Sequence, residues 1–366
     1  MTERLFVKGN EAVAIAALEA GCRYYFGYPI TPQSDIPEYL SRELPKLGGE
    51  FIQAESEIAA INMLLGAAAT GVRAMTSSSG PGISLKQEGI SYLAGSELPG
   101  VIVDICRSGP GLGGIDASQA DYFQAVKGGG HGDYKLLVYA PAGIQEAVDL
   151  TVKAFEKADE YRTPVMILGD GILGQMMEPV ELPEVEPKRF EKPWALTGAK
   201  QGEPAKVIRS LFMLPGEDGM LEQHNYKLKE KYDRMSQHEV MVETLQMDDA
   251  EFAVVAYGTA ARIAKSAVAA VRAEGIKAGL IRPITLFPFP ERAIAAIAEK
   301  VKQFLVVEMN LGQMVEDVRL AVNGRVPVAF YGRPGGAILG VDDIAQAIRN
   351  NAQCGSRNEA CSAQQL

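Results

Sequence analysis

Four clusters in this sequence carry residue types that could do chemistry. In Gly27-Tyr28-Pro29-Ile30-Thr31-Pro32, two prolines stiffen a turn around a threonine hydroxyl. That hydroxyl could face a ligand or simply cap a helix. In Gln53-Ala54-Glu55-Ser56-Glu57, a second acid stands where a helix begins. It could be a plain capping acid, or a buried acid that hydrogen-bonds an aromatic cofactor nitrogen. Thr76-Ser77-Ser78-Ser79-Gly80-Pro81-Gly82 is a run of small residues, which lets a backbone approach a ligand closely. In Cys106-Arg107-Ser108-Gly109-Pro110-Gly111-Leu112-Gly113-Gly114, an arginine ends an apolar run. Left unpaired and buried it would be costly. It must therefore pair with an acid of the fold or clamp a carboxylate, which its planar fork suits. Downstream, Lys127-Gly128-Gly129-Gly130-His131-Gly132-Asp133 holds one of only three histidines. His131 has acid–base capacity, although a loop histidine with no such role is the commoner case.

The elements that must position these clusters alternate. Helix-like Glu11 to Ala20 precedes the apolar RYYFGYP. FIQAESE leads into a helix from Ile58 to Ala69, and VRAMTSSSGPG into a helix over residues 84–94. LPGVIVDICR, KLLVYAP and TPVMILGDG are nearly continuous apolar runs, as strands covered on both faces should be. Ile144 to Tyr161 reads as a long helix. The repeated βα pattern predicts a parallel sheet covered by helices. In such a sheet, ligands bind at the carboxyl ends of strands, so the four clusters should share one edge.

Beyond residue 178 the texture changes. EPVELPEVEPKRFEKPW reads as a proline-rich surface linker, and residues 219–247 as a charged helical segment, an exposed arm or a connecting helix. A second βα series begins at Glu251, with EFAVVAYGT, a helix ending at Gly275, KAGLIRPITLFPFP, FLVVEMN, a helix over residues 312–322 and VPVAFYG. The expected division is a first domain over 1–178, a linker and arm over 179–248, a second α/β domain over 249–348, and a frayed polar tail over 349–366.

Of the 366 residues, 47% are hydrophobic and 22% charged, an ordinary globular composition. A net charge of −10 argues against nucleic-acid binding, which needs a cationic surface. No apolar run approaches the ~20 residues of a membrane span. The N-terminus has no signal-peptide pattern, and the four cysteines form no CxxC pair. A cytoplasmic protein with no zinc or iron–sulfur site of its own is expected.

The motifs together resemble a known family. GYPITPQSDIPEYL, FIQAESEIAAINMLLGAAATG, MTSSSGPGISLKQEGISYLAGSELP, SQADYFQAVKGGGHGDY and YRTPVMILGDGILGQMMEP are similar to the alpha-type subunit of 2-oxoacid:ferredoxin oxidoreductases. WALTGAK, VVAYGTAARIAKSAV, GLIRPITLFPFP and VVEMNLGQMVEDVRL resemble that family's transketolase-like C-terminal domain. The likeness runs to about Ile348 and is strongest to the VorB-type subunit of the 2-ketoisovalerate (3-methyl-2-oxobutanoate) enzymes. It implies an α/β fold: a thiamine-diphosphate-binding parallel-sheet domain on the pyrimidine-binding side, then a transketolase C-terminal-like domain. It also implies oxidative decarboxylation of a 2-oxoacid to acyl-coenzyme A and CO₂, with ferredoxin reduced. Coenzyme A would be the co-substrate. Thiamine diphosphate would be shared with a beta-type subunit carrying the Mg²⁺–diphosphate site. Gamma-type and ferredoxin-like subunits would complete a dimer of hetero-oligomers, with [4Fe-4S] clusters on the partners and external ferredoxin as acceptor.

Carried over by motif, Glu57 matches the family's acid in E-x-x-A-A/I with Gly66 following, and would hydrogen-bond N1′ of the aminopyrimidine. Thr31 and Arg107 would bind the substrate, Arg107 at its carboxylate. Tyr28, Pro29, Ser78, Ser79 and Gly80 would line the cofactor cleft. His131 receives no role from the resemblance. Gly169-Asp170-Gly171 copies the start of the Mg²⁺–diphosphate motif, but the paired asparagines that motif needs are missing from residues 193–202. It is read as a strand-end turn, and no metal is expected on this chain. The Arg107 loop offers no second cation for a distal carboxylate, which favours a branched-chain substrate over 2-oxoglutarate. Lys127 or a partner could still supply one. The reading from another class, a non-catalytic scaffold, sits poorly with Thr31, Glu57 and Arg107 present together.

Overall fold

The computed structural model describes residues 4–182, 186–199 and 202–355. Its strands are β1 (Arg4–Lys8), β2 (Tyr24–Gly27), β3 (Glu50–Gln53), β4 (Ala74–Ser78), β5 (Gly100–Cys106), β6 (Leu137–Tyr139), β7 (Pro164–Asp170), β8 (Met177–Glu181), β9 (Val242–Leu245), β10 (Phe252–Val255), β11 (Ala278–Pro283), β12 (Thr285–Phe287), β13 (Gln303–Glu308) and β14 (Val328–Gly332). A seven-stranded sheet has the order β12-β6-β7-β5-β4-β2-β3, and its first-half strands all run parallel. Every residue of β5 and β7 is buried, which explains their unbroken apolar texture. Helices Gly9–Glu19 and Ile144–Tyr161 cover one face, and Glu57–Ala69 and Pro81–Gly95 the other. Crossovers of this kind carry each strand's carboxyl end to the same edge. The loops after β2, β3, β4 and β5, four neighbouring strands, therefore meet there.

The second sheet has the order β14-β13-β10-β11-β9, with only β9 antiparallel. The α/β fold of parallel sheets covered by helices is as expected, but four details differ. Residues 178–181 are not linker: they form β8, which pairs with β1 in an antiparallel ribbon, Lys8 opposite Met177. The charged arm is less exposed than its composition suggests. Helix Met220–His238 buries Leu228, Lys231, Tyr232 and Met235, a stripe at helical spacing seated on the first domain's core. Thr285–Phe287 crosses back and pairs antiparallel with β6, so the second half of the chain closes the edge of the first sheet. Residues 349–355 continue helix Val341–Gly355, and the rest of the expected tail lies outside the described residues.

A dense polar seam joins the halves. Gln119 donates from Nε2 to the Tyr257 carbonyl (2.9 Å), and its Oε1 accepts from the Met309 amide (3.0 Å). Asn310 donates to the Gln119 carbonyl at 2.8 Å. The buried Glu308 carboxylate accepts from the amides of Gln313, Met314 and Val315 and from Asn310 Nδ2, which fixes the start of helix Met314–Val322.

Candidate active site

At the carboxyl edge of the first sheet lies a cavity of about 500 Å³. Tyr28, Pro29, Ile30 and Thr31 come from the turn after β2, Glu57 from the helix after β3, Pro81, Gly82 and Leu85 from the helix after β4, and Arg107 and Leu112 from the segment after β5. Five residues singled out in the sequence, Tyr28, Pro29, Thr31, Glu57 and Arg107, thus share one wall system.

Glu57 opens its helix, whose N-cap is the adjacent Ser56: the Ser56 hydroxyl accepts from the Ala59 amide at 3.2 Å. With the cap supplied by Ser56, the Glu57 side chain is not needed for it. Glu57 is 6% exposed and its side chain makes no hydrogen bond with the described residues, whereas Glu55 is exposed. The chain turns between them, because β3 ends at Gln53 and the helix starts at Glu57, so the two acids do not share a face. Gly82 makes room for the acid. A Cβ there would stand 2.7 Å from Glu57 Oε1 and 2.1 Å from Ser78 Oγ.

Arg107 is 8% exposed. Its Nη1 donates to the Thr31 carbonyl and its Nη2 to the Leu112 carbonyl, each at 3.0 Å, and its buried Nε has no acceptor. No carboxylate of the described residues pairs with it. Of the two fates open to it in the sequence, pairing with an acid of the fold is not the one found. The two carbonyls aim the guanidinium between the β2 turn and the glycine-rich loop, and an uncompensated cation remains beside the cavity.

Ser78, Ser79 and Gly80 stand behind the wall rather than on it. The two hydroxyls are fully buried and without partners. Gly80 adopts φ 42°, open to glycine, and packs on Arg107: a Cβ there would lie 3.4 Å from Arg107 Cγ. His131 is exposed on its loop, away from the cavity lining. Lys127 pairs with Asp317 of the second half instead of offering a cation to the cavity. Asp170 ends β7 and accepts from the amides of Ile172 (2.9 Å) and Leu173 (3.1 Å), a strand-end cap. Among the described residues, no group of three His, Cys, Asp or Glu side chains could hold a metal ion. No described helix is long and apolar enough to cross a membrane.

The sequence reading missed Ser34, Leu85 and Leu112 as wall residues, and Lys86 altogether. Lys86 is fully buried on the inner face of helix Pro81–Gly95. Its spacing of four residues from Gly82 was the available signal.

The residues present fit the pyrimidine side of thiamine diphosphate. A free buried acid, a glycine where a side chain would block it, and an unpaired guanidinium nitrogen all border one cavity. A family model described as pyruvate flavodoxin/ferredoxin oxidoreductase, thiamine diphosphate-binding, matches residues 15–244, and one described as pyruvate:ferredoxin oxidoreductase core domain II matches residues 250–344. The ketoisovalerate oxidoreductase subunit VorB of Methanothermobacter thermautotrophicus is 53% identical, over 94% of this chain and 97% of that protein. The 2-oxoglutarate synthase subunit KorA of Methanothermobacter marburgensis is 39% identical, over 95% of this chain and 99% of that protein. The solved 2-oxoglutarate:ferredoxin oxidoreductase of Magnetococcus marinus, with 2-oxoglutarate, coenzyme A and succinyl-coenzyme A bound, is similar with a TM-score of 0.82 at 25% identity. That match covers 95% of this chain but 65% of the other. An inactive split-gene transketolase tetramer shares the fold at a TM-score of 0.58 and 14% identity.

Proposed function

The chain belongs to the pyruvate flavodoxin/ferredoxin oxidoreductase family, and we propose that within it the chain is the pyrimidine-binding subunit of a branched-chain 2-oxoacid:ferredoxin oxidoreductase. The substrate would be 3-methyl-2-oxobutanoate, converted with coenzyme A to acyl-coenzyme A and CO₂ as ferredoxin is reduced. The observation that carries this reading is Arg107: a buried guanidinium with no acid of its own among the described residues, beside a cavity whose one other charged lining residue is Glu57. Arg107 anchors the 2-oxoacid carboxylate, and Thr31 binds beside it. The alkyl group then lies against Ile30, Leu85 and Leu112, which offer no cation to a second carboxylate.

Glu57 holds a proton at N1′ of the aminopyrimidine, in the space Gly82 leaves open. Bound thiamine diphosphate would supply the carbanion chemistry of decarboxylation. Tyr28 and Pro29 border its cleft, and Ser78, Ser79 and Gly80 back it. The Mg²⁺–diphosphate site and the [4Fe-4S] clusters belong to partner subunits of beta, gamma and ferredoxin-like type, in a cytoplasmic dimer of hetero-oligomers. The corresponding domain plan keeps the second boundary at 248–249 and carries the first domain from residue 178 on to Glu181, where β8 completes its ribbon with β1.

A panel of 2-oxoacids on the purified native complex, with a low-potential dye as acceptor, tests the substrate. A higher kcat/KM for 2-oxoglutarate than for 3-methyl-2-oxobutanoate reverses the assignment, and the absence of bound thiamine diphosphate and of all turnover would favour a scaffold. The chain expressed alone should be colourless and should lose thiamine diphosphate on gel filtration; stoichiometric retention with turnover would contradict a shared site.

A further inference from the structure

Lys86 is 0% exposed. An ammonium in such a place normally has a carboxylate on it, yet Lys86 forms no salt bridge with the described residues. Its Nζ donates to Thr76 Oγ1 (2.6 Å) and to the Ser77 carbonyl (3.1 Å), both on β4, and the third N–H finds no acceptor. A methionine would fill the same volume without desolvating a charge. Packing therefore gives no reason for a lysine.

The neighbourhood gives one. Gly82, Lys86 and Gly89 follow at helical spacing along the face of helix Pro81–Gly95 turned to helix Glu57–Ala69. Gly82 abuts the Glu57 carboxyl, and Gly89 abuts Ile61 one turn further on. Lys86 lies between these two contacts. The titratable groups acting on it are Glu57 from that helix and Asp104 from β5, opposite Ser78 in the sheet register. Burial and the neighbouring Asp121 push the Asp104 carboxyl well up, which leaves Glu57 as the anionic partner. Thr76 and Ser77 from β4 complete its surroundings.

We infer that Lys86 is a positioning residue for Glu57, its ammonium favouring the carboxylate that remains once Glu57 has passed its proton to the cofactor's ring nitrogen. This rests on the role proposed above for Glu57. The proton leaves the Glu57 carboxyl and arrives at N1′, while Lys86 neither gains nor loses one. Through-space attraction in a dry interior is strong enough for such work without direct contact. Burial pushes the Lys86 amine down to about 7, against the upward pull of the acids, Glu57 first. Removing the Glu57 charge should therefore show in how Lys86 titrates.

The first readout needs no turnover. In the cofactor-free complex, the lysine side-chain carbon next to Nζ is titrated by NMR, with Lys86→Met identifying its signal. Glu57→Gln should lower the Lys86 titration by about one unit. The second readout is exchange of the thiazolium C2 proton on bound cofactor, which Lys86→Met should slow roughly tenfold with the cofactor retained. Should Lys86→Met fail to assemble, Thr76→Val weakens the ammonium's hydrogen bonding, and a slower exchange is expected there too. A Lys86 titration indifferent to Glu57→Gln overturns the inference, as does unchanged exchange in the Lys86 or Thr76 variant. If Glu57→Gln itself exchanges normally, the role of Glu57 is wrong and this inference falls with it. If Glu57→Gln is dead while the Lys86 readouts do not move, only the inference fails.

Discussion

Two of the buried polar clusters among the described residues, the seam between the halves and the surroundings of the cavity, are finished differently. In the seam between the halves, Gln119, Asn310 and Glu308 find partners for their side chains within the fold, and four N–H groups converge on one carboxylate. At the cavity, Arg107 Nε is left without a partner and the Glu57 carboxyl forms no hydrogen bond with the described residues, while Ser78 Oγ and Ser79 Oγ lie unpartnered behind its wall. Leaving a buried polar group unpaired costs about 1–3 kcal/mol. A seam that only holds the fold has no use for that cost, whereas a site can recover it from a ligand. The same contrast separates buried Arg107 from half-buried Arg282. Arg282 is held by both oxygens of Glu146 at 2.8 Å and by Glu243 at 2.7 Å. Arg107 has carbonyls alone.

Substitutions can break this contrast from either side. The largest effect is expected at Glu57→Gln, which should reduce turnover ~10²–10⁴-fold. Ser56 retains the cap, so the fold should lose on the order of 1 kcal/mol or less. Glu55→Gln, on the exposed neighbour, should be nearly silent in the same steady-state assay. A dead Glu55 variant beside an active Glu57 variant would reassign the acid.

Arg107→Met comes next. Losing a charged anchor for a carboxylate costs about 2–5 kcal/mol, so kcat/KM for 2-oxoacids should drop ~30-fold or more. Most of that loss should lie in KM if Arg107 holds the ground-state carboxylate. Thermal stability should change little, because no acid is left behind uncompensated. A kcat/KM within experimental error of wild type would remove Arg107 from the site.

The seam should answer in the opposite currency. Glu308→Gln sets an amide N–H₂ against the N–H donors of Gln313, Met314 and Val315 and should cost ~1–3 kcal/mol, seen as a lower midpoint in urea. KM for the 2-oxoacid should stay put. A raised KM with unchanged stability would mean that the seam is part of the site.

The smallest effect is a pH dependence far from the cavity. Burial pushes the Glu97 carboxyl up, but the Lys231 and Lys227 ammoniums outweigh it and hold it at about 2. Because this folded-state value lies below the ordinary carboxylate range, the contribution is fully present above that range. It is lost as pH falls through it towards 2. Acid unfolding monitored by circular dichroism should therefore begin at higher pH in Lys231→Met, whose parent side chain lies 3.1 Å from Glu97. An unchanged acid limb would count against the pair as the tie between helix Met220–His238 and the first domain.

Much of the fold was legible because long apolar strands and alanine-rich helices repeat in order, and Ile144–Tyr161 is found where its periodicity put it. The β1–β8 ribbon was not, since its residues are half exposed and carry no clean alternation. Nor was the crossing of Thr285–Phe287 to the first sheet, a pairing made across some 150 residues that local pattern does not encode. In the site, Glu57 and Arg107 could be named because their types are conspicuous beside glycine turns. Lys86 could not, because a lysine within a helix reads as solvent-facing until its burial is seen. The wall residues Leu85 and Leu112 likewise become visible only once four loops are brought together.

A structure of the assembled complex with thiamine diphosphate bound would locate the pyrimidine outright. The Glu57 carboxyl should lie within hydrogen-bonding distance of N1′ of the pyrimidine, in the space beside Gly82, with Arg107 facing the substrate end of the same cavity. A pyrimidine held by Glu55, or one bound away from this cavity with Glu57 still unpartnered, would contradict that placement.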